Sequence, residues 1–191
     1  IYDEYYHKLW AQNLAYACFC TPEELELQRR LQQAAGRPPR YEGQWAKVSR
    51  AEQDRLIAEG KPYALRMRVP DSGDIVFEDG VKGLQKFKAA DIGDFIIRRT
   101  DGTPAFFFCN AIDDSLGGIT HVLRGEDHLS NTPRQQLILE ALHLRVPSYA
   151  HLPMIQGAEG TVLSKRLGSL SIRALRAEGW QPLAVVNYLA R

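Results

Sequence analysis

The stretch "RGED", residues 124–127, puts a guanidinium and two carboxylates, Arg124, Glu126 and Asp127, directly behind the apolar run "ITHVL". A structural corner needs little beyond the glycine, so three ionisable side chains at a strand end point to a site. A guanidinium presents a rigid, two-pronged donor set that fits carboxylate or phosphate oxygens, and such a corner suits the grip of a small anion. A second charged loop, "QGAEGTVLSKR", follows the strand-like run "AHLPMI" and offers Ser164, Lys165 and Arg166. Plainer roles are open to the same residues: a surface ion pair between Arg124 and Glu126, a turn cap at Asp127, a solvated loop lysine at 165. Asp113 and Asp114 read as turn and framework residues, and His121 and His128 as packing and hydrogen-bonding residues. No nucleophile–histidine–acid triad is evident.

The elements that would carry these residues change character along the chain. From residue 118 the order is strand "ITHVL", a helix over about 132–143, strand "AHLPMI", a Gly-rich loop and two short helices. That is the strand–helix–strand unit of a parallel α/β sheet, in which ligands sit outside the carboxyl ends of the strands. If the two strands are parallel neighbours, both charged loops face one crevice. Upstream, "IYDEYYHKLWAQNLAYACF" has helical spacing through Ile1, Tyr5, Leu9 and Leu14. Thr21 with Pro22 and Glu24, and Ser49 with Glu52, mark two further helix starts. Between 63 and 109 the period is two: "YALRMRVP", "DIVFED", "DFIIRRT" and "AFFFC" read as strands separated by turns, an antiparallel patch with helices. The two kinds of structure meet near residue 110.

A chain of 191 residues with 45% hydrophobic and 25% charged residues can bury a core. Its 24 basic and 23 acidic side chains give a net charge of +1, so any surface for nucleic acid must be local. Three cysteines make no disulfide framework and fit a reducing compartment. The apolar runs are too short for a membrane helix, and no signal segment opens the chain. It begins in a helical pattern and stops at "NYLAR", so it reads as a piece of something longer.

"DDSLGGITHVLRGEDHLSNTPRQ", "AHLPMI" and "LSKR", in this order and spacing, resemble the second half of the catalytic domain of bacterial glutamyl-tRNA synthetases, class I aminoacyl-tRNA ligases. "AYACFCTPEEL", "GRPPRYEG", "AEGKPYALRMRVP" and "DFIIRRTDGTPAFFFCNAIDD" are similar to the acceptor-binding insertion that precedes it. The resemblance implies an α/β fold: the second half of a Rossmann-like parallel-sheet catalytic domain, with an α+β acceptor-binding insertion. It divides the chain into the end of the first catalytic half (1–17), the tRNA acceptor-binding insertion (18–104), the second half (105–157), and the SKR loop with the start of a stem-contact helical region (158–191).

By position, the resemblance implies that Asn110 contacts the amino acid or adenylate, with Phe106 where the family usually has tyrosine. Arg124 pairs with the substrate carboxylate, and Asp127 holds the amino group or the ribose side. Lys165 is the catalytic loop lysine that neutralises developing phosphate charge, flanked at the ATP by Ser164 and Arg166. The implied partners are glutamate, ATP with Mg²⁺ and tRNA(Glu), with tRNA(Gln) as a further acceptor, in a cytoplasmic monomer with no membrane contact. A basic set on the insertion, Arg29, Arg30, Arg37, Arg40, Arg66, Arg68, Lys82, Lys86 and Lys88, is available to tRNA phosphates. Relatives that hold zinc use a Cys-x-Cys pair and two more ligands; here Cys18 and Cys20 face Trp45 and Lys47 at those places, so no zinc is expected. The family's HIGH-like signature is missing from these residues and Val162 replaces the first loop lysine, so the stretch alone is expected to be inactive. Two other readings stay open: an enzyme that glutamylates a modified tRNA base, and a non-catalytic acceptor-binding module.

Overall fold

The computed structural model describes residues 1–37, 39–156 and 171–190. Helix α1, Tyr2–Ala11, is shorter than its pattern suggests. Asn13 takes the left-handed conformation (φ 57°), and Leu14 N–H bonds back to the Leu9 carbonyl at 2.9 Å, closing the helix. The rest of the predicted helix is strand β1, Ala15–Cys18, buried at every residue. The predicted starts at Thr21 and Ser49 both cap: Thr21 and Glu24 form a reciprocal box on α2 (Pro22–Ala34), and Ser49 accepts from Glu52 N–H on α3 (Arg50–Ala58).

Strands β2 (Ala64–Met67) and β5 (Phe95–Arg98) flank one another, giving an antiparallel sheet ordered β1-β2-β5. Between them in sequence, β3 (Asp74–Asp79) and β4 (Gly83–Lys88) form a hairpin; β4 is a strand the sequence reading passed over. The short helix Ala89–Ile92, α4, leads from β4 to β5.

"AFFFC" is not a strand. It opens α5, Phe106–Leu116, and Asp113 and Asp114 lie inside that helix rather than in a turn. A short aromatic run is ambiguous between strand and helix. Here Phe108, Ala111 and Ile112, spaced three and four apart, are fully buried, so one helical face wins. Asn110 therefore stands one turn after Phe106 on the same face of the helix.

Strand β6, His121–Gly125, starts later than expected and contains Arg124. A 3-10 turn, Glu126–Asn131, leads into α6, Thr132–Ala141, which crosses to β7, Ser148–Leu152. β6 and β7 pair in parallel over five positions, with Arg124 opposite His151. The hairpin extends this sheet: β3 pairs with β7 in parallel through Asp79 and Tyr149, giving the order β4-β3-β7-β6. The mixed α/β reading with a parallel sheet holds. Helices α7 (Ile172–Ala177) and α8 (Pro182–Leu189) bury no residue.

The core lies where α1, β2, β5, α5 and α6 meet. Tyr6 stacks on Phe108 at 4.4 Å, and Ile97, Ile112, Ile138 and Leu139 are fully buried around them. Phe108→Ala should cost about 3–5 kcal/mol in urea unfolding. Phe106→Ala, at a side chain 46% exposed, should cost under about 1 kcal/mol. Equal losses would mean that the helix buries a different face.

Candidate functional site

A cleft of about 400 Å³ runs along β6 to the turn that follows it. Its walls are Phe106, Asn110 and Asp114 from α5, then Ile119 to Arg124 along and before β6 without Thr120, and His128 from the 3-10 turn. Three of the predicted substrate residues, Phe106, Asn110 and Arg124, thus share one cavity. Asp127 does not line it; it is exposed on the turn, with a carboxylate oxygen 3.7 Å from His128 Nε2. Ser164, Lys165 and Arg166 lie outside the described residues.

Arg124 is half-buried and makes no ion pair with Glu126. That carboxylate is taken by the Lys82 ammonium at 2.5 Å and by Met154 N–H at 3.1 Å. The guanidinium instead donates to neutral acceptors: Nε to His151 Nε2 (3.1 Å), and Nη2 to Thr132 Oγ1 (2.8 Å) and Gln135 Oε1 (2.7 Å). Gln135 Nε2 in turn donates to Asn110 Oδ1 at 2.5 Å, so the two predicted contacts belong to one network. Nε carries one N–H and each Nη two, which leaves the two N–H groups of Nη1 without a protein partner among the described residues. The expected two-nitrogen fork is therefore already occupied, and an anion would be held by Nη1. Burial pushes the guanidinium below its usual pKa, while Tyr149, Asp114, Asp127 and Asp79 act the other way. The Arg124 guanidinium also lies over the Tyr149 ring at 5.3 Å, and the buried Tyr149 hydroxyl has no partner among the described residues.

Behind Arg124 sits a pair the sequence reading missed. His151 is fully buried and Asp79 is 2% exposed; Asp79 Oδ2 lies 2.5 Å from His151 Nδ1. Asp79 Oδ1 accepts from the backbone N–H of Val81, Lys82 and His151 at 2.9–3.1 Å, which also closes the β3–β4 turn. The only signal in the sequence is the polar residue inside each apolar run, Asp79 ending "DIVFED" and His151 within "AHLPMI".

Several of the basic residues expected to meet phosphates are engaged within the fold. Arg66 is 6% exposed and stacked 3.8 Å from the Tyr41 ring, so burial removes it from any phosphate path. Arg68 lies over Tyr16 and donates to the Ala46 carbonyl, and Lys86 pairs with Asp74 at 2.9 Å. Cys18 is buried with its thiol 3.6 Å from the Tyr41 hydroxyl; Gln44 Nε2 donates to Cys20, and Trp45 packs on Phe19. Asp113 accepts the Tyr2 hydroxyl on both oxygens at 2.7–2.8 Å, a framework contact as expected.

Burial alone would raise the Asp79 carboxyl, but hydrogen bonds from His151 and from the Lys82, His151 and Val81 amides hold it below the usual carboxylate range. The unfolded chain then binds this proton more tightly. Stability supplied by Asp79 is present above its ordinary value of 3.8 and is lost as pH falls toward its lowered folded value. Urea unfolding should therefore weaken below about pH 4, and Asp79→Asn should flatten that slope. An unchanged slope would show that the carboxyl is not held low.

A family model described as "tRNA synthetases class I (E and Q), catalytic domain" matches residues 1–191. The chain is 58% identical over 191 residues to "Glutamate--tRNA ligase 2" of Alkalilimnicola ehrlichii, covering all of this chain and 40% of that protein. It is 59% identical to "Glutamate--tRNA ligase 1" of Methylococcus capsulatus, of which it covers 41%. The crystal structure of a glutamate-tRNA synthetase from Elizabethkingia anophelis superposes with a TM-score of 0.85 at 30% identity, over 99% of this chain and 43% of that one. A glutamate tRNA ligase from Elizabethkingia meningosepticum, solved in complex with its amino acid, gives 0.73 at 31% identity over 92% and 36%. The chain thus spans about two fifths of the length of these relatives. With a match running from the first residue to the last, the chain belongs to the catalytic-domain family of class I tRNA synthetases for glutamate and glutamine.

Proposed function

We propose that this chain works within a longer glutamate–tRNA ligase and supplies its amino-acid grip. The observation that carries the reading is the half-buried Arg124 guanidinium, which lines the cleft and, among the described residues, has no partner on Nη1 and no carboxylate on it. In the first step an oxygen of glutamate's α-carboxylate bonds to the α-phosphorus of ATP, which arrives with Mg²⁺ as substrate, and the bond to pyrophosphate breaks. In the second, a terminal ribose hydroxyl of tRNA takes the glutamyl group, and AMP leaves. The carboxylate that attacks phosphorus must keep its lone pairs available, so the guanidinium best serves the other, side-chain carboxylate. Asn110 flanks it, and Phe106 packs the wall. Lys165, with Ser164 and Arg166, is assigned to the phosphates, where charge develops in the transition state. Such chemistry is positioning and charge stabilisation, and it needs no protein nucleophile.

The reading carries tRNA(Glu) as acceptor, a cytoplasmic setting and a monomer. Glutamate-dependent ATP–pyrophosphate exchange on the complete protein, with tRNA present, tests it. Arg124→Ala should lower kcat/KM for glutamate by about 100-fold. Lys165→Ala should lower kcat by about 100-fold with little change in KM for glutamate. Wild-type exchange in the Arg124 variant would remove that residue from the site. Aminoacylation of tRNA(Glu) and tRNA(Gln), assayed separately, fixes the acceptor, and the use of tRNA without terminal charging would favour transfer to a modified base.

A further inference from the structure

We infer that Asp79 and His151 are positioning residues which fix the proton on one imidazole nitrogen and thereby aim Arg124 at its anionic ligand; the inference rests on the glutamate-activation reading. His151 Nε2 meets two groups, Arg124 Nε at 3.1 Å and Thr132 Oγ1 at 3.2 Å. Nε always carries a hydrogen, and the Thr132 oxygen already accepts from Nη2 and keeps its own hydrogen to donate, so Nε2 is the acceptor, its lone pair toward the arginine. The proton of a neutral ring then sits on Nδ1, and the group facing Nδ1 at 2.5 Å is the Asp79 carboxylate, which can only accept. Each bond requires the other. Both residues are shut off from water, so no solvent molecule can substitute for either partner.

The guanidinium is planar, and fixing Nε fixes the plane. With Nε on His151 and Nη2 on Thr132 and Gln135, rotation about the last side-chain bond is blocked, and Nη1 is the donor left for the cleft. Asp79 and His151 touch neither cleft nor ligand, and they act through Arg124.

Asp79→Asn separates this role from a structural one. An asparagine oxygen can still accept the backbone N–H groups of Val81, Lys82 and His151 at the Oδ1 position, so the hairpin turn survives. Its NH₂ now faces Nδ1 and must donate, which drives the ring proton to Nε2 and sets donor against donor at Arg124. In the complete protein, Asp79→Asn should raise KM for glutamate by about tenfold while KM for ATP stays within about twofold. The same substitution in an Arg124→Ala background should add nothing, because its effect runs through the arginine. His151→Phe should match Asp79→Asn, and His151→Gln, whose amide oxygen restores an acceptor for Nε, should recover most of the loss. With selective ¹⁵N-histidine labelling, His151 should carry its proton on Nδ1 in the wild type and on Nε2 in Asp79→Asn.

An unchanged KM for glutamate in folded Asp79→Asn and His151→Phe, or a full additional loss in the Arg124→Ala background, would overturn the positioning role. Should the Phe variant fail to fold, Asp79→Asn and His151→Gln decide alone. A wild-type protein without glutamate-dependent exchange in the presence of tRNA would instead overturn the activity reading; the ¹⁵N pattern then decides the relay by itself, and an Nε2–H ring in the wild type rejects it.

Discussion

The structure around the cleft is organised by one guanidinium that is half out of water and has, among the described residues, no carboxylate against it. Removing an ion from water is expensive, and proteins usually meet that cost with an opposite charge. Here Thr132, Gln135 and His151 satisfy three N–H groups with neutral oxygens and nitrogen. Dipoles solvate the ion without cancelling it, so its charge remains available to whatever enters the cleft. The nearest sequence neighbour that could cancel it, Glu126, is held by Lys82 and the Met154 amide.

Those acceptors come from separate parts of the chain. Thr132 and Gln135 are in the first turn of α6 and His151 is in β7, while Asn110 on α5 closes the network through Gln135. The β3–β4 hairpin then ties in from the side, since β3 adds to the sheet at Tyr149 and places both Asp79 and Lys82. The two kinds of structure read on either side of residue 110 are therefore not independent layers: a sheet that begins with β4 and β3 from before it ends with β7 and β6 from after it. Mounting Arg124 inside β6 rather than on the loop after it adds precision, because the pleat dictates which face the side chain leaves from.

Much of this was legible in the letters. Capping chemistry located Thr21 and Ser49, because a hydroxyl, a helix start and an acid three residues on form a local device that tertiary context rarely alters. The β6–α6–β7 unit was legible from its period. What failed was local ambiguity resolved at long range: three consecutive phenylalanines suit a buried strand as well as a helix, and only packing against Tyr6 and the inner sheet decides. Arg66 misled for a related reason, since its charge suggests surface while the Tyr41 ring supplies a buried platform. Asp79 and His151 lie 72 positions apart, and no spacing rule connects them until β3 and β7 pair.

The choice of an imidazole between the carboxylate and the guanidinium follows from the same electrostatics. A carboxylate placed directly on Arg124 would orient it well, but at about 3 Å it would also neutralise it and compete with the ligand. Across the ring, a contact of 2.5 Å on one side and 3.1 Å on the other adds to the ring's own width and holds the negative charge roughly twice as far away. Coulomb attraction falls in proportion, so the acid dictates the direction of the hydrogen bond while giving up about half of its hold on the cation. Orientation passes through the proton's position, and the arginine's charge is left for the substrate.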